Sequence, residues 1–167
     1  MSAHTGVPPH QFTPMRICQA ITAEEIALAR TLLEEYARWL GVDLSFQGWA
    51  AELAALPGVY APPRGRLLLA LAGSDASGCI ALRPLGDAVC EMKRLFVRPA
   101  FRRQGVGKLL AQRIVEEARA IGYATMRLDT LPSMPAAIRL YEALGFVRCT
   151  AYHDTPLRET VFMELRL

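Results

Sequence analysis

The chain has 167 residues, 52% of them apolar, which is enough material for one globular domain with a sizeable core. Its formal charge of +3 is only mildly basic, and no extended basic stripe with interleaved aromatic residues occurs, so nucleic-acid binding is not expected. Four scattered cysteines without a CxxC pair favour a reduced, cytoplasmic protein without a metal site, and no apolar run is long enough to span a membrane.

The beginning of the chain predicts a tail and then a single domain. Residues 1 to 13 contain no apolar segment of the secretory type, and we expect them to form a flexible tail. The remainder, 14 to 167, shows neither repeats nor an interdomain linker.

Strand and helix patterns alternate along this domain. Thr22 and Glu25 have the spacing of a capping box, which predicts a helix that continues to Gly41. Further helices are expected at 45 to 56, 105 to 121 and 134 to 144. Strands are expected at 15 to 20, 66 to 72, 78 to 84, 88 to 97, 124 to 129, 146 to 152 and 160 to 166. The pattern indicates an α/β fold with a mixed sheet.

A glycine-containing loop joins the strand EMKRLFV, at 91 to 97, to the long helix that follows. The loop residues are Arg102, Arg103, Gln104, Gly105, Val106 and Gly107. The first turn of a helix carries unpaired N–H groups and partial positive charge, and glycines allow an anion to approach the backbone. Basic residues gather here, and they suit a polyanionic cofactor: Lys93, Arg94, Arg98, Arg102, Arg103 and Lys108. The pattern favours a diphosphate site, although a tight turn with solvated arginines would use the same residues.

Two common phosphate loops do not match this stretch. A Walker A loop requires glycine at position 102 and Ser or Thr at 109, but these are Arg102 and Leu109. A dinucleotide-binding fingerprint requires a third glycine at position 110, which is Leu110.

Instead, the loop resembles the acetyl-coenzyme A loop of the GNAT superfamily of N-acetyltransferases. A second segment, AAIRLYEALGF at 136 to 146, resembles a later motif of that superfamily, a helix that carries a tyrosine and ends at Gly-Phe. The order and separation of the two segments also match. The resemblance implies a GNAT-like mixed, largely antiparallel sheet, flanked by helices, whose central strands splay apart to receive acetyl-CoA.

The resemblance also implies roles for individual residues. The loop backbone would hold the diphosphate, and the end of the preceding strand would pair with the pantetheine arm. The implied cofactor-binding residues are Leu95, Phe96, Val97, Arg102, Arg103, Gln104, Gly105, Val106, Gly107 and Lys108. A backbone N–H of that strand could also point at the thioester oxygen.

Two catalytic residues are implied in the same way. Tyr141 matches the tyrosine that many members place beside the thioester sulfur, although it would also suit the core face of an amphipathic helix. Glu91 has the spacing of a glutamate that some members use as a general base, provided that burial raises its pKa, and its alternative is an exposed or salt-bridged strand residue. Met134 departs from the pattern, since many relatives have an asparagine there that contacts the pantetheine.

The implied activity is acetyl transfer from acetyl-CoA to a primary amine of a small molecule, amino acid or peptide, by direct attack on the thioester and without a metal. The alternative is a noncatalytic acyl-CoA-binding or sensor domain on the same fold, which Met134 and the uncertain base leave open. A homodimer is plausible through the apolar final strand. The sequence assigns no acceptor-binding residue.

Overall fold

The structure, a computed structural model, describes residues 13 to 167 of the chain. The expected tail therefore lies outside the described residues except for Thr13. The described range contains four α-helices, which are α1 (Ala23–Leu40), α2 (Trp49–Ala55), α3 (Val106–Ile121) and α4 (Pro135–Ala143). Its strands are β1 (Met15–Gln19), β2 (Arg66–Ala72), β3 (Asp75–Pro84), β4 (Val89–Val97), β5 (Thr125–Thr130), β6 (Val147–Arg148) and β7 (Val161–Arg166). None of these helices is both long and apolar enough to cross a membrane.

The strands form one mixed sheet in the order β1-β2-β3-β4-β5-β7-β6. Every pairing in this sheet is antiparallel except that of β4 with β5. The parallel pairing is short, since it joins Val89–Glu91 to Thr125–Arg127 and then stops, although both strands continue. The predicted fold and the splayed central strands are thereby confirmed.

The sheet has a core on each face. In β2, side chains alternate between the two cores, with Leu67 and Leu69 facing one and Leu68 and Ala70 facing the other. This explains why RLLLALA is almost continuously apolar. Helices α1 and α2 cover the first core, whereas α3 covers the second. Full burial of each leucine side chain stabilises the fold by about 1.5–3 kcal/mol.

Local sequence signals set the ends of α1 as predicted. The Thr22 hydroxyl accepts a hydrogen bond from the Glu25 N–H at 3.1 Å, and the Glu25 carboxylate accepts one from the Thr22 N–H at 3.0 Å. Gly41 ends the helix with φ of 67°, a left-handed conformation that favours glycine.

Two elements are shorter than predicted. The helix expected at 45 to 56 is a single 3₁₀ turn, Ser45–Gln47, followed by α2, because Gly48 between them is left-handed with φ of 71°. The strand expected at 146 to 152 is only Val147–Arg148, because the chain then leaves the sheet edge and binds the centre of the sheet through side chains.

The final strand does not lie at an edge of the sheet. β7 pairs with β5 on one side and with β6 on the other. The suggestion of a homodimer through this apolar strand therefore loses its structural support.

Candidate active site

A cleft opens where β4 and β5 separate. Its walls come from these two strands, from α1 and α4, and from the loop between β6 and β7. The lining side chains that matter chemically are Tyr36, Lys93, Arg94, Asp129, Met134 and Tyr141. Because the gap results from the end of strand pairing, its position is fixed by the sheet itself.

A β-bulge shapes the β4 wall of this cleft. The register with β3 shifts by one residue between Lys93 and Phe96, and Arg94 has φ of 63°. A left-handed conformation of a non-glycine residue costs on the order of 1–3 kcal/mol. Contacts of the Arg94 side chain offset this cost, since its guanidinium donates to both oxygens of Glu52 at 2.9 and 3.0 Å and lies 4.9 Å from the Trp49 ring centroid.

The N-terminus of α3 lies at the end of the predicted anion loop. Gly105 precedes the helix with φ of 78°, and no side chain of the described residues caps the first turn. A Cβ atom on Gly107 would lie 3.7 Å from Val97 Cγ2, an ordinary contact, so packing within the protein does not require glycine there. Uncapped N–H groups and an unobstructed backbone fit the binding of an anion.

Only some of the expected cations are available to such an anion. Arg103 and Lys108 are exposed, and neither has a carboxylate within 4.0 Å anywhere in residues 13 to 167. By contrast, Arg98 is paired with Glu35 at 2.8 Å. The basic cluster is therefore only partly available to a polyanion, because carboxylates distant in sequence neutralise part of it.

The other predicted loop residues have structural contacts. Arg102 donates to the Val97 carbonyl at 2.9 Å and lies 4.7 Å from the Trp39 ring centroid. Gln104 is exposed and donates to the Ala100 carbonyl at 3.3 Å. Val106 is buried in the core under α3. These contacts hold the loop in place. Contact of these residues with a cofactor stays a prediction.

The three predicted residues of β4 lie past the last pairing with β5. Leu95 lines the cleft, whereas Phe96 is buried beneath Tyr36, with ring centroids 6.1 Å apart. Val97 pairs only with Gly78 of β3 among the described strands. The β5-facing backbone edge of this segment is therefore unpaired, as an arm that binds like an added strand would require.

Tyr141 projects from α4 into the cleft. Its ring packs against Phe146 at 5.9 Å, and its hydroxyl has no hydrogen-bond partner among the described residues. Burial raises the pKa of the Tyr141 phenol well above its ordinary value, and the neighbouring Tyr36 and Asp129 raise it further. The phenol is therefore a neutral hydrogen-bond donor that faces the cleft.

Glu91 is fully enclosed and has several partners. Its Oε1 lies 2.7 Å from Arg83 Nε and 3.6 Å from Lys93 Nζ, and its Oε2 accepts a hydrogen bond from the Tyr152 hydroxyl at 2.5 Å. Burial alone would raise the pKa of Glu91, but Lys93, the Tyr152 hydroxyl and Arg83 together hold it below the ordinary value. The condition attached to a general base, a raised pKa, is not met.

Asp129 is a cleft residue that sequence reasoning missed. Its Oδ2 lies 2.7 Å from His153 Nε2, while His153 Nδ1 lies 2.8 Å from the Asp154 carbonyl. Both partners are hydrogen-bond acceptors, so either bond forms only when the ring nitrogen concerned carries a proton. The only sequence signal was a carboxylate at the end of a predicted strand.

The carboxylates of Glu91 and Asp129 and the His153 ring come within 4.8 Å of one another, a spacing that could suit a metal ion. Their existing partners disfavour this use. Arg83 and Lys93 already bring two positive charges to Glu91, and His153 occupies Asp129. A cation placed here would meet these charges at close range.

Comparisons with known proteins agree with this architecture. The family described as "Acetyltransferase (GNAT) family" matches residues 27–146. An uncharacterised N-acetyltransferase of Schizosaccharomyces pombe is 39% identical over 140 residues, which cover 83% of this chain and 86% of the relative. The chain belongs to the GNAT family of acetyltransferases.

Solved structures share the fold. An acetyltransferase from Streptococcus agalactiae superposes with a TM-score of 0.76 at 22% identity, covering 92% of this chain and 98% of that one. The Salmonella typhimurium protein yncA, solved with its cofactor acetyl-CoA, gives a TM-score of 0.64 at 21% identity, covering 91% and 93%. At these identities the likeness extends to the fold.

Proposed function

We propose that the protein transfers the acetyl group of acetyl-CoA to a primary amine of a small molecule, amino acid or peptide. The observation that carries this proposal is the Tyr141 hydroxyl, which has no hydrogen-bond partner in residues 13 to 167 and lies in a cleft formed by the separation of β4 from β5. A neutral donor at this position is what a departing thiolate needs.

Residues of the cleft and of the neighbouring loop before α3 fit the donor. The uncapped α3 terminus, with Arg103 and Lys108, would hold the diphosphate, and the unpaired edge of β4 at Leu95, Phe96 and Val97 would hold the pantetheine arm. Bound there, acetyl-CoA would supply a thioester carbonyl open to attack by an amine. The acetyl-CoA present in the yncA structure of the same fold supports this assignment.

Tyr141 would stabilise the leaving group by hydrogen bonding. Full proton transfer from an ordinary phenol to a thiolate is uphill by about 2 kcal/mol, since their reference pKa values are about 10 and 8.5. Burial raises the pKa of Tyr141, which makes full transfer still less favourable. A donated hydrogen bond needs no such transfer and keeps the phenol neutral throughout.

Two carboxylates could meet the amine, and their surroundings differ. Glu91 is ionised, enclosed and bound to Arg83 and Tyr152, so its oxygens have little capacity for a further partner. Asp129 lines the cleft, and within the described part of the chain its side-chain partner is His153. We therefore propose that Asp129 receives and orients the amine, while Glu91, the candidate suggested by the sequence, maintains the charge balance behind it.

The test is release of free thiol from acetyl-CoA across a panel of amines, with the wild-type chain and Tyr141→Phe. We expect thiol release with at least one amine, a fall of about 10²-fold in kcat in Tyr141→Phe, and unchanged acetyl-CoA binding. Tyr123→Phe is the matched control, because Tyr123 is equally buried and its hydroxyl bonds to Arg64 elsewhere in the fold.

Two results would contradict the enzyme assignment in different ways. Acetyl-CoA binding without thiol release for any amine would favour the sensor. Equal activity of Tyr141→Phe and Tyr123→Phe would remove Tyr141 from the mechanism while leaving the donor assignment intact.

A further inference from the structure

Lys93 is a buried cation on the wall of the cleft. Its side chain is 8% exposed, and its residue lies at the β4 bulge, opposite the β5 wall that carries Asp129. Its Nζ makes no hydrogen bond within the described part of the chain, and the carboxylate contact there is Glu91 Oε1 at 3.6 Å, too long for a good hydrogen bond. An ammonium in this position has hydrogen-bonding capacity left over.

The carboxylate within 4.0 Å of Lys93 in residues 13 to 167 is shared. The same Glu91 Oε1 that faces Lys93 lies closer, at 2.7 Å, to Arg83 Nε, and the second oxygen of Glu91 is taken by Tyr152. The adjacent Arg94 provides a contrast, since it binds both oxygens of Glu52 in a two-point ion pair. Of the two neighbouring cations, Lys93 therefore has the incomplete counter-charge.

The other carboxylate near Lys93, Asp129, has a nearer partner. Oδ2 of Asp129 lies 2.7 Å from His153 Nε2, whereas no ion pair within 4.0 Å joins Asp129 to Lys93 in residues 13 to 167. Burial lowers the pKa of Lys93, with Arg94 and Arg83 adding to the effect, even though Glu91 and Asp129 oppose it, which agrees with an ammonium that lacks full compensation.

This cation is separate from those proposed for the diphosphate. None of residues 102 to 108 lines the cleft, whereas Lys93 does. Lys93 also precedes Leu95 on the strand, on the Glu91 side of the bulge. The unused hydrogen-bonding capacity of the Lys93 ammonium therefore lies on the acceptor side of the site.

We infer that Lys93 binds a carboxylate of the acceptor, so that the acceptor is an amine that also bears a carboxylate, such as an amino acid. The two walls of the cleft then match the two charges of the substrate, with Asp129 at the ammonium and Lys93 at the carboxylate. This inference rests on the proposed acetyl transfer and narrows its acceptor.

The kinetic test compares each amino acid with its own carboxamide, which keeps the amine and removes the negative charge. Rates are expressed per free-base amine, because the two amines differ in pKa. We expect the acid to be preferred in kcat/KM by about tenfold to a hundredfold, the scale of one charge-assisted hydrogen bond. In Lys93→Met the preference should fall to about twofold or less, and Lys93→Arg should restore part of it.

Two further cations serve as controls. Lys108→Gln should raise the KM for acetyl-CoA without altering the ratio of acid to amide. Arg119→Gln removes an exposed charge from the last turn of α3 and should alter neither quantity. A lower melting temperature in Lys93→Met with an unchanged acid-to-amide ratio would reduce Lys93 to a counter-ion of Glu91 and overturn the inference.

A binding experiment separates this inference from the proposed function. Calorimetry with coenzyme A present measures the affinity of N-acetyl amino acids and of their amides for the wild type and for Lys93→Met. Acid-selective binding that Lys93→Met abolishes would support the inference even if no amine were acetylated. Equal binding of acids and amides, or acetylation without preference for acids, would overturn it, and in the second case acetyl transfer itself would stand.

Discussion

His153 holds Asp129 through a contact of 2.7 Å between Nε2 and Oδ2, and this contact joins the loop between β6 and β7 to the separated end of β5. The preceding residue, Tyr152, joins the same loop to β4 by donating to Glu91. Two consecutive side chains therefore fasten the loop to both of the strands that diverge. Since Thr155 and Leu157 of this loop line the cleft, the fastening also sets the shape of the acceptor side.

The first prediction concerns the charge of Asp129. Asp129→Asn keeps the shape of the side chain but removes the negative charge proposed to receive the amine. We expect kcat/KM for the amine to fall by about 10²-fold, the lower end for loss of a proton-handling group, while the KM for acetyl-CoA stays within about twofold. Steady-state thiol release with each substrate varied in turn measures both quantities. A large change in the KM for acetyl-CoA alone would instead place Asp129 on the donor side.

The second prediction concerns Glu91 and stability. Its pKa is below the ordinary value in the folded protein, so the ionised carboxylate stabilises the fold above that ordinary value, and this contribution is lost as pH falls through the folded-state pKa. Glu91→Gln leaves Arg83 and Lys93 without their shared carboxylate. We expect a loss of about 3–5 kcal/mol in the free energy of unfolding at pH 7, as for a broken buried pair.

Urea unfolding at a series of pH values checks this prediction. The difference between wild type and Glu91→Gln should begin to shrink below about pH 4, because the carboxyl of the unfolded wild type then binds a proton, and should continue to shrink as pH falls through the folded-state pKa. Glu164→Gln is the control, since Glu164 pairs with Arg127 at 3.6 Å near the surface and should matter by less than about 1 kcal/mol. A constant difference down to pH 2 would show that the charge of Glu91 is not the stabilising feature.

Local signals made much of the fold predictable. The capping box at Thr22 and the left-handed Gly41 mark the two ends of α1. Gly105 and Gly122 mark the two ends of α3 in the same way. Such features are readable because the contacts involve residues only a few positions apart. The splayed strands were predicted in a different way, through the resemblance of two motifs.

The parts that escaped prediction depend on contacts between distant residues. Tyr152 reaches Glu91 across 61 positions and His153 reaches Asp129 across 24, and these bonds take the chain off the sheet edge where a longer β6 was expected. The ion pairs within the basic cluster could not be predicted for the same reason, since Arg98 is paired with Glu35 from 63 positions away. Hydrophobic periodicity and motif spacing do not identify partners so distant in sequence.

The third prediction concerns the reactivity of the protein's own cysteines, which matters for an assay that measures release of free thiol. Burial raises the pKa of both Cys79 and Cys90 to about 12, so their thiolates are scarce at neutral pH. Cys18 and Cys149 are only partly buried. We expect a disulfide reagent at pH 8 to label at most these two cysteines in the native protein and all four after unfolding, as counted by mass spectrometry. Rapid native labelling of Cys79 would mean that the core under α1 opens readily.

The last prediction separates the two glycines of the anion loop. Gly107 is in the first turn of α3, and a Cβ there meets only ordinary contacts, so Gly107→Ala should stabilise the fold by up to about 1 kcal/mol. Gly105 has φ of 78°, and Gly105→Ala should destabilise the fold by about 1 kcal/mol although the space around it is open.

The effect of Gly107→Ala on the binding of acetyl-CoA should differ from its effect on stability. If the backbone at Gly107 approaches the diphosphate closely, a methyl group there obstructs it, and Gly107→Ala should raise the KM for acetyl-CoA by about tenfold or more, the equivalent of one lost charge-assisted hydrogen bond. Gly122→Ala is the control for backbone strain, because Gly122 is left-handed with φ of 104° at the opposite end of α3 and should lose stability without any change in that KM. A more stable Gly107→Ala variant with wild-type affinity would move the diphosphate away from the helix terminus, since the one effect of the methyl group would then be on the helix itself.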